Sequence, residues 1–152
     1  MNKINKRLEN ELKNLSNKPV FNCVVVANDS NIRKWTVHMP GPNGSPFESG
    51  VYELSFEFPD NYPFKAPDVK FVTKMYHPNI KQDTGEICMD VFASSWSPTQ
   101  KVADILEKLV SLLASPSTSS PLEADICKEY MNNPKQYEKK VKEFVKKYAN
   151  KK

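Results

Sequence analysis

A thiol, an amide and a carboxylate lie close together in one stretch of this chain. Tyr76-His77-Pro78-Asn79-Ile80 is followed, nine residues after the asparagine, by Cys88-Met89-Asp90. Such a set suggests thiol chemistry. The thiolate is a potent nucleophile, and a free cysteine with a pKa of about 8.5 is a few per cent ionised at neutral pH. Residues 73–98 show no clear hydrophobic period and hold Pro78, Gly85, Trp96 and Pro98. An irregular run of that length inside a small chain is often functional. A cysteine in such a loop can be exposed, whereas Cys23 falls in a strand-like run and Cys127 in a capped helix. The plainer reading of Cys88 is a small buried apolar residue. His77, taken alone, reads as a structural histidine before it reads as a base or a metal ligand.

The flanking elements must position these groups. Ile4, Leu8, Leu12 and Leu15 recur every three or four residues and predict an amphipathic helix over 3–16, stopped by Asn17-Lys18-Pro19. Four runs then alternate with period two. Phe21, Cys23 and Val25 share one face of the first, and Trp35, Val37 and Met39 one face of the second. Tyr52, Leu54, Phe56 and Phe58 share a face of the third, and Val69 and Phe71 make a short fourth. Alternation means one buried and one wet face, as in an antiparallel sheet. The connections carry turn residues and are too short for helical crossovers, so the four strands form a meander. After the irregular stretch, Ser97-Pro98-Thr99-Gln100, Ser120-Pro121-Leu122-Glu123 and Asn133-Pro134-Lys135-Gln136 each offer a polar cap followed by proline. Three more helices follow from these. The expected fold is α+β: an N-terminal helix, a four-stranded antiparallel meander, an active-site loop, then three helices, in a single domain over 1–152.

Composition bounds the class. The chain has 152 residues, with 39% hydrophobic and 26% charged, which fits one globular domain and neither a disordered nor a membrane chain. No run of 18 apolar residues is present, and the N-terminus lacks the apolar segment of a signal peptide. Three widely spaced cysteines without C-x-x-C argue against a disulfide framework or a zinc site, and for a cytoplasmic or nuclear location. The net charge of +4 is unevenly spread: residues 1–18 balance at +3, residues 135–152 at +6, and the body between them at −5. The basic end mixes its lysines with Tyr137, Val141, Phe144, Val145 and Tyr148, the pattern of a solvated helix face and not of a nucleic-acid-binding arm. No nucleic acid and no membrane are expected as partners.

The residues resemble the ubiquitin-conjugating enzyme family. The matching motifs run in order from Met39-Pro40-Gly41-Pro42 through Gly50-Val51-Tyr52 and Phe58-Pro59-Asp60-Asn61-Tyr62-Pro63-Phe64-Lys65-Ala66-Pro67. Tyr76-His77-Pro78-Asn79-Ile80, Gly85-Glu86-Ile87-Cys88-Met89-Asp90, Trp96-Ser97-Pro98 and Ser120-Pro121-Leu122 complete them, and the resemblance spans about 3–150. It implies a transferase. Cys88 would accept the C-terminal glycine of ubiquitin as a thioester from an activating enzyme, then pass it to a substrate lysine or a ligase cysteine. The activating enzyme uses the ATP, so the chain itself would need no cofactor and no metal. The family's asparagine role carries onto Asn79, whose amide can stabilise the oxyanion formed when an amine attacks; it can equally order its own loop. Asp90 is the candidate to orient or deprotonate the incoming lysine, whose pKa in water is about 10.4. His77, Pro78 and Ser120 would shape the site. Lys6 and Arg7 on the first helix, Phe64, and Ser97, Pro98 and Thr99 match the surface used by a RING-type or other ligase and by the activating enzyme. The Tyr62-Pro63 bond matches one that is cis in relatives.

Two positions depart from many members. Ser120 stands where an aspartate is common, which leaves lysine activation resting more on Asp90. Glu107 stands where several members carry leucine on the outer face of the helix after Trp96, a leucine that packs on bound ubiquitin in a closed state. Alternatives are a conjugating enzyme for another ubiquitin-like modifier, a cysteine hydrolase using Cys88 and His77, or an inactive binding module. The eight-residue step from Cys88 to Trp96 is the ordinary spacing and not the longer SUMO-type one. An inactive module would lack the cysteine.

Overall fold

A computed structural model describes residues 3–88, 96–119 and 121–150. The chain order is helix α1 (Lys3–Asn17), strands β1 (Val24–Asn28), β2 (Asn31–Pro40), β3 (Val51–Glu57) and β4 (Asp68–Phe71), then helices α2 (Val102–Ala114), α3 (Ala124–Asn132) and α4 (Pro134–Tyr148). The strands pair in sequence order, every neighbour antiparallel. The expected α+β meander is therefore the fold.

The period-two pattern sets the register. Trp35 pairs with Phe56, Val37 with Leu54 and Met39 with Tyr52, while Leu54 pairs onward with Phe71 and Phe56 with Val69. All of these are buried on one face. Lys34, His38, Ser55 and Glu57 are exposed on the other. Helices cover the inner face: Ile4, Leu8 and Leu15 come from α1, and Val102, Ile105, Leu106 and Leu109 from α2. A shift of one register step would turn this whole apolar set outward, which is why the pairing is well specified.

Three expectations need correction. The first strand begins at Val24, because Phe21 and Asn22 take positive φ of 47° and 58° and form a turn. Phe21 is 40% exposed there and shares no strand face with Cys23 and Val25. Ser97 does not cap α2. Gln100 N–H donates to the Ser97 carbonyl (3.0 Å) and Ser97 N–H to Gln100 Oε1 (3.0 Å), which closes a separate turn. The helix starts at Val102, with Asp104 Oδ2 accepting from Lys101 N–H at 2.8 Å. The third helix starts at Ala124 behind Glu123; Ser120, its expected cap, lies outside the described residues. The α4 start is as expected, with Asn133 as cap, Pro134 in the first turn, and Gln136 N–H donating to Asn133 Oδ1 at 3.4 Å.

Candidate active site

The segment after β4 folds back on that strand. Phe71 N–H donates to the Gly85 carbonyl (3.0 Å), and Lys81 N–H to the Glu86 carbonyl (2.8 Å). Gly85 has φ +78°, and a Cβ there would stand 1.9 Å from the Phe71 carbonyl oxygen, so only glycine fits this close approach. An antiparallel bridge between Ile80 and Ile87 carries the two arms side by side. One residue further on each arm are Asn79 and Cys88. The Cys88 N–H donates to the Asn79 carbonyl at 2.9 Å. The spacing of nine residues thus brings the amide and the thiol residue together.

Each residue of the His-Pro-Asn triplet holds a different part of the later chain. His77 is fully buried. Its Nε2 lies 2.8 Å from the Leu112 carbonyl near the end of α2, and its Nδ1 accepts from Asn79 N–H at 3.0 Å. These bonds fit the neutral tautomer with the proton on Nε2, and leave no acceptor for a second proton. Burial pushes the His77 pKa down to about 4 against the small opposing pull of the Leu112 carbonyl. The Pro78 carbonyl accepts from Leu122 N–H (2.9 Å) and Glu123 N–H (3.0 Å). The Asn79 side chain is held at both ends by Ser117, with Oδ1 accepting from its N–H (2.8 Å) and Nδ2 donating to its carbonyl (2.9 Å). Before the triplet, the Tyr76 hydroxyl donates to Glu129 (2.6 Å) on α3, which also pairs with Lys140 (2.8 Å) on α4.

Cys88 is 6% exposed, hardly more open than Cys23 at 5%, so loop position did not leave it exposed as it could have done. The distinction lies in what it faces. Cys88 lines a groove of about 860 Å³ that runs along the outer side of α2, past Gln100, Asp104, Glu107 and Ser111. The Cys23 thiol is pushed up to about 11 by burial, which keeps it protonated. None of the three cysteines is in a disulfide. Asp90 and Ser120 lie outside the described residues. Glu107 is exposed on α2 and walls the groove, as its outer-face placement required. Among the described residues no cluster of three or more His, Cys, Asp or Glu could hold a metal ion.

The remaining sequence candidates gather at the far end of α2. Phe64 is 76% exposed, in the loop that follows the cis Tyr62-Pro63 bond. Pro98 and Thr99 are exposed, Ser97 is half-buried and bonds Thr99 through its hydroxyl (2.9 Å), and Lys6 is exposed on α1. Arg7, half-buried beside Lys6 on α1, also makes bonds within the chain. Its guanidinium is occupied within the chain, donating to Glu11 (2.9 Å) and to the carbonyls of Pro98 (3.2 Å) and Gln100 (2.7 Å). Sequence reasoning missed Glu11 and Ser117. Glu11 carried a signal: it sits on the same helical stripe as Ile4, Leu8 and Leu15, a charge in the buried phase of α1. Ser117 carried none, because only its backbone is used.

The comparisons with known proteins agree with this geometry. A family model described as ubiquitin-conjugating enzyme matches residues 7–145. Ubiquitin conjugating enzyme E2 B of Dictyostelium discoideum is 42% identical over 144 residues, covering 95% of this chain and 97% of that protein. Ubiquitin-conjugating enzyme E2 13 of Saccharomyces cerevisiae is 40% identical over 147 residues, covering 97% of this chain and 95% of the other. A crystal structure assigned to the ubiquitin conjugating enzymes of Plasmodium yoelii superposes with TM-score 0.90 at 35% identity, covering 97% of this chain and 96% of its own. The E2 domain of a Toxoplasma gondii ubiquitin conjugating enzyme gives TM-score 0.90 at 30% identity, covering 97% and 100%. The chain therefore belongs to the ubiquitin-conjugating enzyme family, the E2 transferases that act through a cysteine thioester.

Proposed function

We propose that Cys88 is the thiol on which this enzyme carries ubiquitin. One observation supports that choice above the others: Cys88 alone of the three cysteines lines the open groove along α2, with its backbone bonded to Asn79. In the charging step the Cys88 thiolate attacks the glycine carbonyl held as a thioester on the activating enzyme, and that enzyme's thiolate leaves. In the discharging step a substrate lysine, as the neutral amine, attacks the same carbonyl. An isopeptide bond forms, the Cys88 thiolate leaves, and the lysine proton passes to a base. A ligase cysteine can take the lysine's place. ATP is consumed by the activating enzyme and no cofactor resides on this chain.

Asn79 first positions the loop, since both ends of its side chain are bonded to Ser117. Its Nδ2 carries a second hydrogen, and that donor serves the oxyanion formed during aminolysis. Asp90 orients or deprotonates the amine. His77 and Pro78 hold the arm, and His77 is not the base because its acceptor nitrogen already takes the Asn79 N–H. Ser120 shapes the same site. The docking end for the activating enzyme and a ligase comprises Lys6, Arg7, Phe64, Ser97, Pro98 and Thr99. An exposed aromatic in a braced loop is the kind of anchor such interfaces use. Arg7 contributes there by bracing. Protein substrates reach the thiol at the opposite end of α2. Three cysteines outside disulfides suit a cytoplasmic or nuclear location.

The test is incubation with ubiquitin, an activating enzyme and ATP, read on a non-reducing gel. The expected product is a thiol-sensitive adduct that is absent in Cys88→Ala. An adduct that persists in Cys88→Ala and disappears in Cys23→Ala or Cys127→Ala would overturn the assignment.

A further inference from the structure

Glu11 is 5% exposed, and its carboxylate receives donors from three places in the chain. Oε1 accepts from Val102 N–H at 2.8 Å, the first residue of α2. Oε2 accepts from the Tyr62 hydroxyl (2.6 Å) and from Arg7 Nε (2.9 Å). Tyr62 precedes the cis bond of the Phe64 loop, and burial, then the bond to Glu11, holds its phenol far above the usual range, so it stays a donor. The Trp96 indole N–H donates to the Pro63 carbonyl at 2.7 Å, and Arg7 reaches on to the carbonyls of Pro98 and Gln100. The bonds close a circuit: α1, the Phe64 loop, the 97–100 turn, and back to α1. A buried carboxylate is expensive to desolvate and is stable only with its oxygens well satisfied. A hydrophobic residue would fill the same space without tying these segments to one another.

We propose that Glu11 is a positioning residue that fixes the spacing between Phe64 and the Pro98-Thr99 tip, and that the ubiquitin-charged activating enzyme reads this spacing when it docks. The inference rests on the reading of this end as the docking surface. The partner needs two exposed apolar points at a set separation, and it contacts neither Glu11 nor Tyr62. The carboxylate acts through Phe64 and the tip. Losing it therefore weakens docking more than it slows the chemistry, because the partner must then order the two points itself.

The experiment varies this chain as substrate in the charging reaction, with ubiquitin, activating enzyme and ATP, and reads KM and kcat separately. Glu11→Gln keeps the shape but turns one acceptor into a donor, so its one oxygen serves either Val102 N–H or Arg7 Nε and not both. The expected result is a KM raised about 5-fold or more, with kcat lowered by no more than about 2-fold. Tyr62→Phe removes one donor and leaves the α2 cap in place, so it gives a second reading if Glu11→Gln fails to fold, and its KM is expected to rise in the same direction. Phe64→Ala is expected to raise KM, and Glu11→Gln on that background to add little, since the two act through one contact. Variants at Glu11 or Tyr62 that lose active fraction while KM stays at the native value would overturn the inference and leave Glu11 as a brace only. A multiplicative effect of Glu11→Gln and Phe64→Ala would also overturn it. If Phe64→Ala itself leaves KM unchanged, the docking surface is misassigned and the inference falls with it.

Discussion

The two ends of α2 are held by opposite kinds of chemistry. At its start, an ionic residue does the joining: the Glu11 carboxylate gathers a backbone N–H, a phenol and a guanidinium. At its end, the partners are neutral: the His77 imidazole bonds the Leu112 carbonyl, and the Asn79 amide bonds both backbone groups of Ser117. Charge-assisted bonds are roughly twice as strong as neutral ones, but a lost partner leaves a buried charge. Neutral bonds are weaker, but losing one leaves no charge buried without a partner. The start of α2 is thus held by a charge that must stay paired, and its end by neutral donors and acceptors.

Mutations at the two ends are expected to have different readouts. Glu11→Ala leaves Val102 N–H and the Tyr62 hydroxyl without acceptors, and is expected to cost about 4 kcal/mol, a fall in melting temperature on the order of 10 °C. Thermal unfolding followed by circular dichroism measures it; a fall of one or two degrees would show that the circuit contributes little.

Acid should separate the ends. The His77 pKa is lowered from 6.5 to about 4 by burial, so the unfolded chain binds the proton first. The stability from this group is complete above about pH 6.5 and is lost progressively as pH falls toward 4, on the order of 3 kcal/mol in all. Protonation at Nδ1 sets a donor against the Asn79 N–H. Hydrogen exchange at the amides of Asn79 and Cys88 should therefore accelerate between pH 6.5 and 4.5, corrected for intrinsic rates, before that of Val102. Equal loss of protection at both ends would erase the contrast.

Asn79→Ala is expected to lower discharge to free lysine by about 10²-fold, close to 2.7 kcal/mol. Charging of Cys88 should fall far less if the amide serves the oxyanion of aminolysis. Parallel losses in both steps would mean that its bonds to Ser117 are its whole contribution. The smallest effect lies away from both ends. Asn133→Ala removes the α4 cap, whose bond is long at 3.4 Å, and should cost about 0.5 kcal/mol with no change in charging or discharge.

How much of this was legible in the sequence depends on which atoms do the holding. Side-chain alternation announced the sheet, because burial of Trp35, Val37 and Met39 against Tyr52, Leu54 and Phe56 needs period two. The nine-residue step from Asn79 to Cys88 announced a shared site, and the Ile80–Ile87 bridge is what makes that step close. The grip of Ser117 on Asn79 was hidden, since a backbone N–H and carbonyl look the same at every position. The α2 start was misread because Ser97 and Gln100 do exchange bonds, but in a turn of their own. Glu11 was overlooked because apolar periodicity counts what should be buried and passes over the acid that is buried among it. Exposure was a poor guide to the thiol: Cys88 and Cys23 differ in the space they face and hardly at all in area.

Val102 and Leu112, the residues through which the two ends are fastened, are ten positions apart on one uninterrupted helix. At 1.5 Å per residue this is a strut of about 15 Å, among the stiffest spans a polypeptide can make. With docking and chemistry placed as proposed, it works as a ruler between visitor and reaction: a new binding protein can be accommodated by remodelling loops at one tip, while the bond-making atoms at the other keep their separation.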